Sequence, residues 1–139
     1  MNTQTTLPAN SGVAALQLRR TLRLDAFTCL AGAIGFLAIG ISPLGELLGF
    51  FSPALSLALA GVLLIYAGWL LWLARRPAIQ ARQIILPVVI NDCWVVGWLA
   101  VLIFNLLPLT LPGKLFVSAT VVGVAIFACV EFYAARKIR

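Results

Sequence analysis

Four long apolar stretches take up most of the sequence and restrict its fold more than any other feature. In a chain of 139 residues they run over about 21–42, 53–73, 84–107 and 115–135. Each is close to the roughly 20 residues that an α-helix needs to cross the hydrocarbon core of a bilayer. The apolar residues are continuous and do not alternate with polar ones. The sequence therefore predicts an all-α integral membrane protein with four transmembrane helices.

The composition leaves no room for a second, soluble domain. Hydrophobic residues make up 63% of the chain and charged residues 10%, against roughly 25% charged residues in ordinary soluble domains. We expect residues 1–18 to form a flexible cytoplasmic tail and residues 19–139 to form one transmembrane domain. Because the connections between the spans are short, consecutive helices should be antiparallel neighbours in an up-down-up-down bundle.

The basic residues predict the orientation of the bundle. Of the ten Lys and Arg residues, nine lie in the amino-terminal segment, the middle loop or the carboxyl-terminal tail, and Lys114 lies in an outer loop. Positive charge in short loops stays on the cytoplasmic side, so both termini are predicted to be cytoplasmic. We attribute the net charge of +6 to this bias and to attraction to anionic headgroups, and not to nucleic-acid binding. The small size favours a bacterial inner membrane.

The two halves of the chain resemble each other. Asp25 and Asp92 each lie in the outward helix of one half, about four residues into the first span and about eight into the third, and a glycine-containing turn follows each helix, over 43–47 and 111–115. A duplication would give two tandem parallel hairpin repeats with the two acids at equivalent depth. The alternative is chance similarity between apolar helices.

Three of the four acidic residues, Asp25, Asp92 and Glu131, lie in or near the cytoplasmic half of the spans. Ionisable residues within a membrane usually face the bundle interior and are candidates for function. Together with Asn91, whose amide can bond between helices, they form a candidate intramembrane polar site. In the functional interpretation, Asp25 and Asp92 face a shared cavity that takes up a proton or a cation, and one of them keeps its proton because nearby carboxylates repel. In the structural interpretation, the acids form ion pairs with arginines on the same side.

Other kinds of chemistry have little support in the sequence. The chain has no histidine, which excludes Ser-His-Asp triads and His-containing zinc sites. Its three cysteines, Cys29, Cys93 and Cys129, form no C-x-x-C motif and are predicted to be small buried hydrophobes. We therefore expect no cofactor, no metal and no catalytic residue. An aromatic stripe with Trp94 and Trp98 is typical of packing, with a flat ligand such as a quinone or carotenoid as the alternative.

The segment Leu22-Arg23-Leu24-Asp25-Ala26, the glycine-rich helix that follows it, and Asn91 with Trp94 resemble the small bacterial four-helix inner-membrane proteins of unknown function. The resemblance implies the fold and the membrane but no activity and no site residues. In that pattern the position of Asp92 is usually apolar, so Asp92 departs from it. Small multidrug transporters also have four short helices and an acid in the first span, but the nine-to-one charge bias argues against their dual insertion.

These observations favour a non-catalytic role. The first hypothesis is an accessory or scaffold subunit that packs against other membrane proteins or against a second copy of itself. The alternative hypothesis is a proton- or cation-linked small carrier, or a binder of an apolar ligand, that uses Asp25 and Asp92. An enzyme is the least supported class, because acid–base chemistry would rest on carboxylates alone.

Overall fold

The computed structural model describes residues 9–50, 52–77, 79 and 81–136, and within them the chain is almost entirely helical. The helices are α1 (Ala9–Ile41), α2 (Leu44–Leu48), α3 (Pro53–Arg75), α4 (Ala81–Ile103) and α5 (Leu111–Arg136). Four of them are long and apolar enough to cross a membrane, over Ala15–Ile41, Pro53–Arg75, Gln83–Ile103 and Leu111–Tyr133. The predicted fold class, an all-α protein with four transmembrane helices, is confirmed.

The first helix begins earlier than the sequence predicts. A flexible tail is expected through residue 18, whereas α1 is helical from Ala9. Leu18 and Leu22 are fully buried in the apolar core. Burial of these two side chains holds the start of α1 against the bundle, because it removes apolar surface from contact with water and headgroups. Residues 1–8 of the expected tail lie outside the described residues.

Local signals account for the ends of the other helices. The Ser52 hydroxyl accepts a hydrogen bond from the backbone N–H of Leu55 at 3.3 Å, and Pro53 occupies the first position of α3, where its missing N–H costs nothing. After α4 the backbone of Asn105 adopts a left-handed conformation with φ of 48°. Asparagine tolerates this conformation better than most residues, and the turn it makes leads towards α5.

The helices pack as two hairpins. Helix α1 packs most extensively on α3, and α4 packs most extensively on α5. Helix α1 also contacts α5, and the one-turn α2 contacts both of these helices. This pairing agrees with the two hairpins proposed from the sequence, while their origin by duplication stays a hypothesis. The antiparallel order places the start of α1 and the end of α5 at one end of the bundle, the terminal end, and α2 and residues 104–110 at the other, the loop end.

Hydrogen bonds join the hairpins at the loop end. The Thr110 hydroxyl donates to the carbonyl oxygen of Leu47 at 2.6 Å, and the Thr110 N–H donates to the carbonyl oxygen of Leu48 at 3.2 Å. At the terminal end, the Arg19 guanidinium donates to the carbonyl oxygen of Pro77 at 2.6 Å. The Thr110 bonds hold the connection between α1 and α3 against the one between α4 and α5, and the Arg19 bond holds α1 against the connection between α3 and α4.

An aromatic cluster fills the bundle between the loop end and its centre. The ring of Phe36 contacts four other rings, with centroid distances of 5.9 Å to Phe50, 6.4 Å to Trp94, 6.1 Å to Trp98 and 6.0 Å to Phe116. Most of these pairs meet edge to face, the arrangement that the charge distribution of aromatic rings favours. Trp94 and Trp98 thus pack on α1, which agrees with the packing interpretation of their stripe.

Candidate functional site

Three of the four predicted site residues meet in the interior of the bundle. Asp25 of α1, Asn91 of α4 and Glu131 of α5 are 1%, 3% and 0% exposed, respectively. The Asn91 side-chain amide donates to Asp25 Oδ2 at 3.1 Å and to Glu131 Oε2 at 3.4 Å. One amide group therefore bridges two carboxyl groups from different helices, and it connects the two hairpins.

Two further side chains complete this polar cluster. The Tyr66 hydroxyl of α3 lies 3.2 Å from Asn91 Oδ1 and 3.4 Å from the carbonyl oxygen of Pro87, and it can donate its proton to either. The Cys29 thiol donates to Asp25 Oδ1 at 3.7 Å. Tyr66 faces the oxygen of the Asn91 amide, so the nitrogen faces the carboxyl groups, which matches a donor to an acceptor at each end of the amide. All four long helices contribute to the cluster.

The two carboxyl groups of the cluster lie beside the same amide nitrogen. Asn91 donates to Asp25 Oδ2 and to Glu131 Oε2, so each carboxyl lies in the electrostatic field of the other. Glu131 Oε1 is buried and receives no hydrogen bond from the described residues. A buried carboxylate oxygen without a donor is costly, and two ionised carboxylates side by side repel each other. A single proton held between Asp25 and Glu131 removes both costs, because the protonated group becomes a donor.

Among the described side chains, no arginine forms an ion pair with Asp25 or Glu131, which differs from the structural interpretation. The described groups that donate to these two carboxyls are the Asn91 amide and the Cys29 thiol. The side chain of Arg82 lies outside the described residues. Within the described part of the chain, a proton is therefore the available counter-charge for the acid pair.

A cavity of about 300 Å³ extends from Asp25 between α1 and α5. Along α1 its lining runs from Asp25 to Phe36, and on the opposite side it includes Phe116 and Gly123 of α5. Thr28 of the lining is exposed on the bundle surface, so the cavity opens sideways, towards the lipid. Apart from the Asp25 carboxyl its walls are mainly apolar.

The hydroxyl groups in the cavity wall are already engaged within their own helices. Thr28 donates to the carbonyl oxygen of Leu24 at 3.0 Å, and Thr120 donates to that of Val117 at 2.7 Å. Such bonds within a helix leave the hydroxyl little capacity to donate to a ligand. The Asp25 carboxyl is therefore the polar group that distinguishes this cavity from a simple packing defect.

Asp92 does not take part in the cluster. It is exposed on the outer surface of α4, although the neighbouring Asn91 is buried. Successive residues of a helix point about 100° apart, which separates the two side chains. The pair of Asp25 and Asp92 that the sequence suggests is not brought together, and the structure pairs Asp25 with Glu131. On α5, Glu131 is buried whereas Cys129, two residues earlier and about 200° away around an ideal helix, is exposed.

Tyr66 is the member of the cluster that the sequence analysis does not single out. A tyrosine in the middle of an otherwise apolar span is a usable signal, because a buried hydroxyl needs a partner. Cys29 is buried as expected, whereas Cys93 and Cys129 are exposed. Among the described residues, no group of three or more Cys, Asp or Glu side chains is arranged to hold a metal ion.

Comparison with known proteins returns no match: no protein-family model, no curated protein and no solved structure matches this chain.

Proposed function

We propose that the protein is not an enzyme but a small carrier. It takes up lipophilic cations, which have an apolar body and one positive charge, from the membrane in exchange for a proton. The observation behind the proposal is the position of Asp25, which belongs to a buried acid pair and also lies at the end of a laterally open cavity. This keeps the second hypothesis from the sequence, with Glu131 replacing Asp92 as the partner of Asp25.

The cavity favours a cation with a flat apolar body. Binding sites for small organic molecules are mostly apolar, start near 300 Å³ and contain few polar groups. Phe36, Trp94 and Phe116 line the apolar part, and aromatic rings attract cations as well as apolar surface. A positive group placed at the Asp25 end would pair with a carboxylate in surroundings of low dielectric constant, where the attraction is strong.

The proton shared by Asp25 and Glu131 couples the binding of a cation to the release of a proton. When a cation reaches the Asp25 carboxylate, the proton held between Asp25 and Glu131 is no longer needed as the counter-charge, and it leaves. When the cation leaves, a proton returns. The site then carries the same net charge, one negative, in either state, so the exchange does not change the charge buried in the bilayer.

Uptake into proteoliposomes with an acidic interior tests this proposal. The probe is benzyltrimethylammonium, a small aromatic cation, and neopentylbenzene of nearly the same shape serves as the uncharged comparison. We expect an outward proton gradient to drive uptake of the cation several-fold above that of protein-free liposomes. Asp25→Asn should reduce uptake to the protein-free level, because it removes the carboxylate that faces the cavity.

Two glycine variants test whether the cavity itself is needed for uptake. A Cβ atom built at Gly123, in the cavity wall, meets no atom within 4 Å, so Gly123→Leu should place its side chain in the cavity and abolish uptake. Gly68 of α3 is exposed and also has open space around it, so Gly68→Leu is the matched control and should transport normally. Uptake that matches protein-free liposomes, or that survives Asp25→Asn, would refute the proposal.

A second candidate function is that of an accessory subunit that packs against other membrane proteins. The observation that favours it is Asp92, an acidic side chain on the lipid-facing surface of α4. Such a side chain is costly in lipid and is stabilised by a partner helix. For either function we propose a location in a bacterial inner membrane with both termini cytoplasmic, supported by the charge bias.

A further inference from the structure

We infer that Asp92 marks a docking surface for a transmembrane helix of another protein, and that this helix carries a basic residue halfway across the membrane. The inference is independent of the cavity, and it names the partner that an accessory role would require. Three observations support it: the depth of Asp92, the surface around it and the charges that this chain can offer.

Asp92 lies close to the middle of its span. The membrane-spanning part of α4 is Gln83–Ile103, so Asp92 follows its start by nine residues and precedes its end by eleven. At 1.5 Å per residue the carboxyl group is about 14 Å from the nearer end. Long basic side chains can bridge part of such a distance to the headgroups, but the short side chain of aspartate cannot.

The surface around Asp92 has the spacing of a helix-packing seam. Steps of four and three residues connect its exposed members in turn. They are Ile85, Val89, Asp92, Val96, Leu99 and Ile103. A period of 3.5 residues is the pattern of two helices that pack side by side along their length, and a single polar residue within it sets the register of the pair. We call this set the Asp92 seam.

The charge of Asp92 indicates which kind of helix binds to the Asp92 seam. Among the described residues Asp92 has no hydrogen bond or ion pair, so a helix on the Asp92 seam has to supply a proton donor or a positive charge at mid-membrane. The basic residue of this chain that lies deepest in a span is Arg23, eight residues after the start of Ala15–Ile41, and its long side chain can reach the headgroups. A second copy packed through α4 about a two-fold axis would bring carboxyl against carboxyl, which is repulsive. Charge complementarity therefore favours a different protein with a Lys or Arg at that depth.

Binding of synthetic transmembrane peptides to the full-length protein in lipid vesicles tests the inference. One peptide is a leucine helix with a single central lysine, and the other has leucine at that position. Energy transfer from a donor dye on the protein's amino terminus to an acceptor on the peptide reports association. We expect the lysine peptide to bind about tenfold more tightly than the leucine peptide, the scale of a polar contact between membrane helices.

Two variants test whether the tighter binding of the lysine peptide depends on Asp92. Asp92→Leu should abolish it while the helix content measured by circular dichroism stays unchanged, because the exposed position accepts an apolar side chain. Asp25→Asn, which alters the buried pair, should retain it. Equal binding of the two peptides, or a lysine preference that survives Asp92→Leu, would overturn the inference. So would self-association of the native protein that Asp92→Leu abolishes, since the occupant would then be a second copy.

Discussion

At the scale of single residues, Asn91 is the centre of the site. It contacts both acids through its amide nitrogen and Tyr66 through its oxygen. A carboxylate in that position could not donate to Asp25 and Glu131, and an apolar residue would leave both without this donor. The amide is thus the side chain that lets two acids share one buried space.

If a cation exchanges for a proton, the affinity for the cation should depend on pH. Because the two compete at Asp25 and Glu131, the affinity for benzyltrimethylammonium should rise with pH, by up to about tenfold per pH unit where one proton is released. Glu131→Gln removes the partner that shares the proton, so binding should persist with a flatter pH profile. Calorimetric titration of the protein in nanodiscs measures both profiles. A pH-independent affinity in the native protein would contradict the exchange.

At the scale of secondary-structure elements, the loop end depends on two glycines. Gly49 has a φ of 83°, and a side chain there would lie 2.7 Å from the Leu109 Cα atom. A side chain at Gly113, in the first turn of α5, would overlap the carbonyl oxygen of Leu48. The same segment carries the hydrogen bonds from Thr110, so close backbone approach is what joins the hairpins at this end.

Gly113→Ala should therefore destabilise the protein by about 3 kcal/mol, since backbone atoms have to move apart to admit the methyl group. The matched control is Gly35→Ala in α1, where a side chain meets no atom within 4 Å. That substitution should be neutral or stabilise by about 0.5–1 kcal/mol, because alanine favours the helix more than glycine does. Unfolding by sodium dodecyl sulfate in mixed micelles, followed by tryptophan fluorescence, compares them. Equal stability of the two variants would mean that the loops are free to separate.

At the scale of the whole molecule, the terminal end has the features of a membrane interface. The Arg76 guanidinium lies 3.9 Å from the ring centroid of Trp72, and that of Arg136 lies 4.4 Å from the ring centroid of Phe132. Basic and aromatic side chains of this kind anchor a bundle at the headgroup level. Lys114 lies at the opposite end, so the charge asymmetry of the sequence becomes an asymmetry of the folded protein.

Labelling of single cysteines in intact cells tests the orientation. In a variant whose native cysteines are replaced by alanine, Glu46→Cys at the loop end should react with a membrane-impermeant maleimide. Arg20→Cys at the terminal end should react only after lysis, because the basic end stays on the cytoplasmic side. Both positions are exposed, so access to the reagent decides the result. The reverse pattern would refute the predicted topology and leave the fold unaffected.

The sequence alone determines that the chain forms four membrane-spanning helices and which of its polar residues lie within the spans. These properties are local, because in lipid each backbone N–H and C=O must be satisfied within its own segment, and a long apolar stretch has to be helical. The start of α1 depends less on local sequence. Residues 9–18 are polar enough to be taken for a tail, and they belong to the helix because Leu18 packs within the bundle.

The tertiary structure alone decides which acids meet. The lipid is as apolar as the interior of the bundle, so the faces of α4 differ little in hydrophobicity. The Trp94 and Trp98 stripe indicates a packed face, but it does not show on which side of that face Asp92 lies. Asn91 and Asp92 are neighbours in the chain, yet one is buried between two carboxyl groups and the other faces outward. The rotation of α4 about its own axis, set by packing against α1, α3 and α5, separates them and makes Glu131 the partner of Asp25.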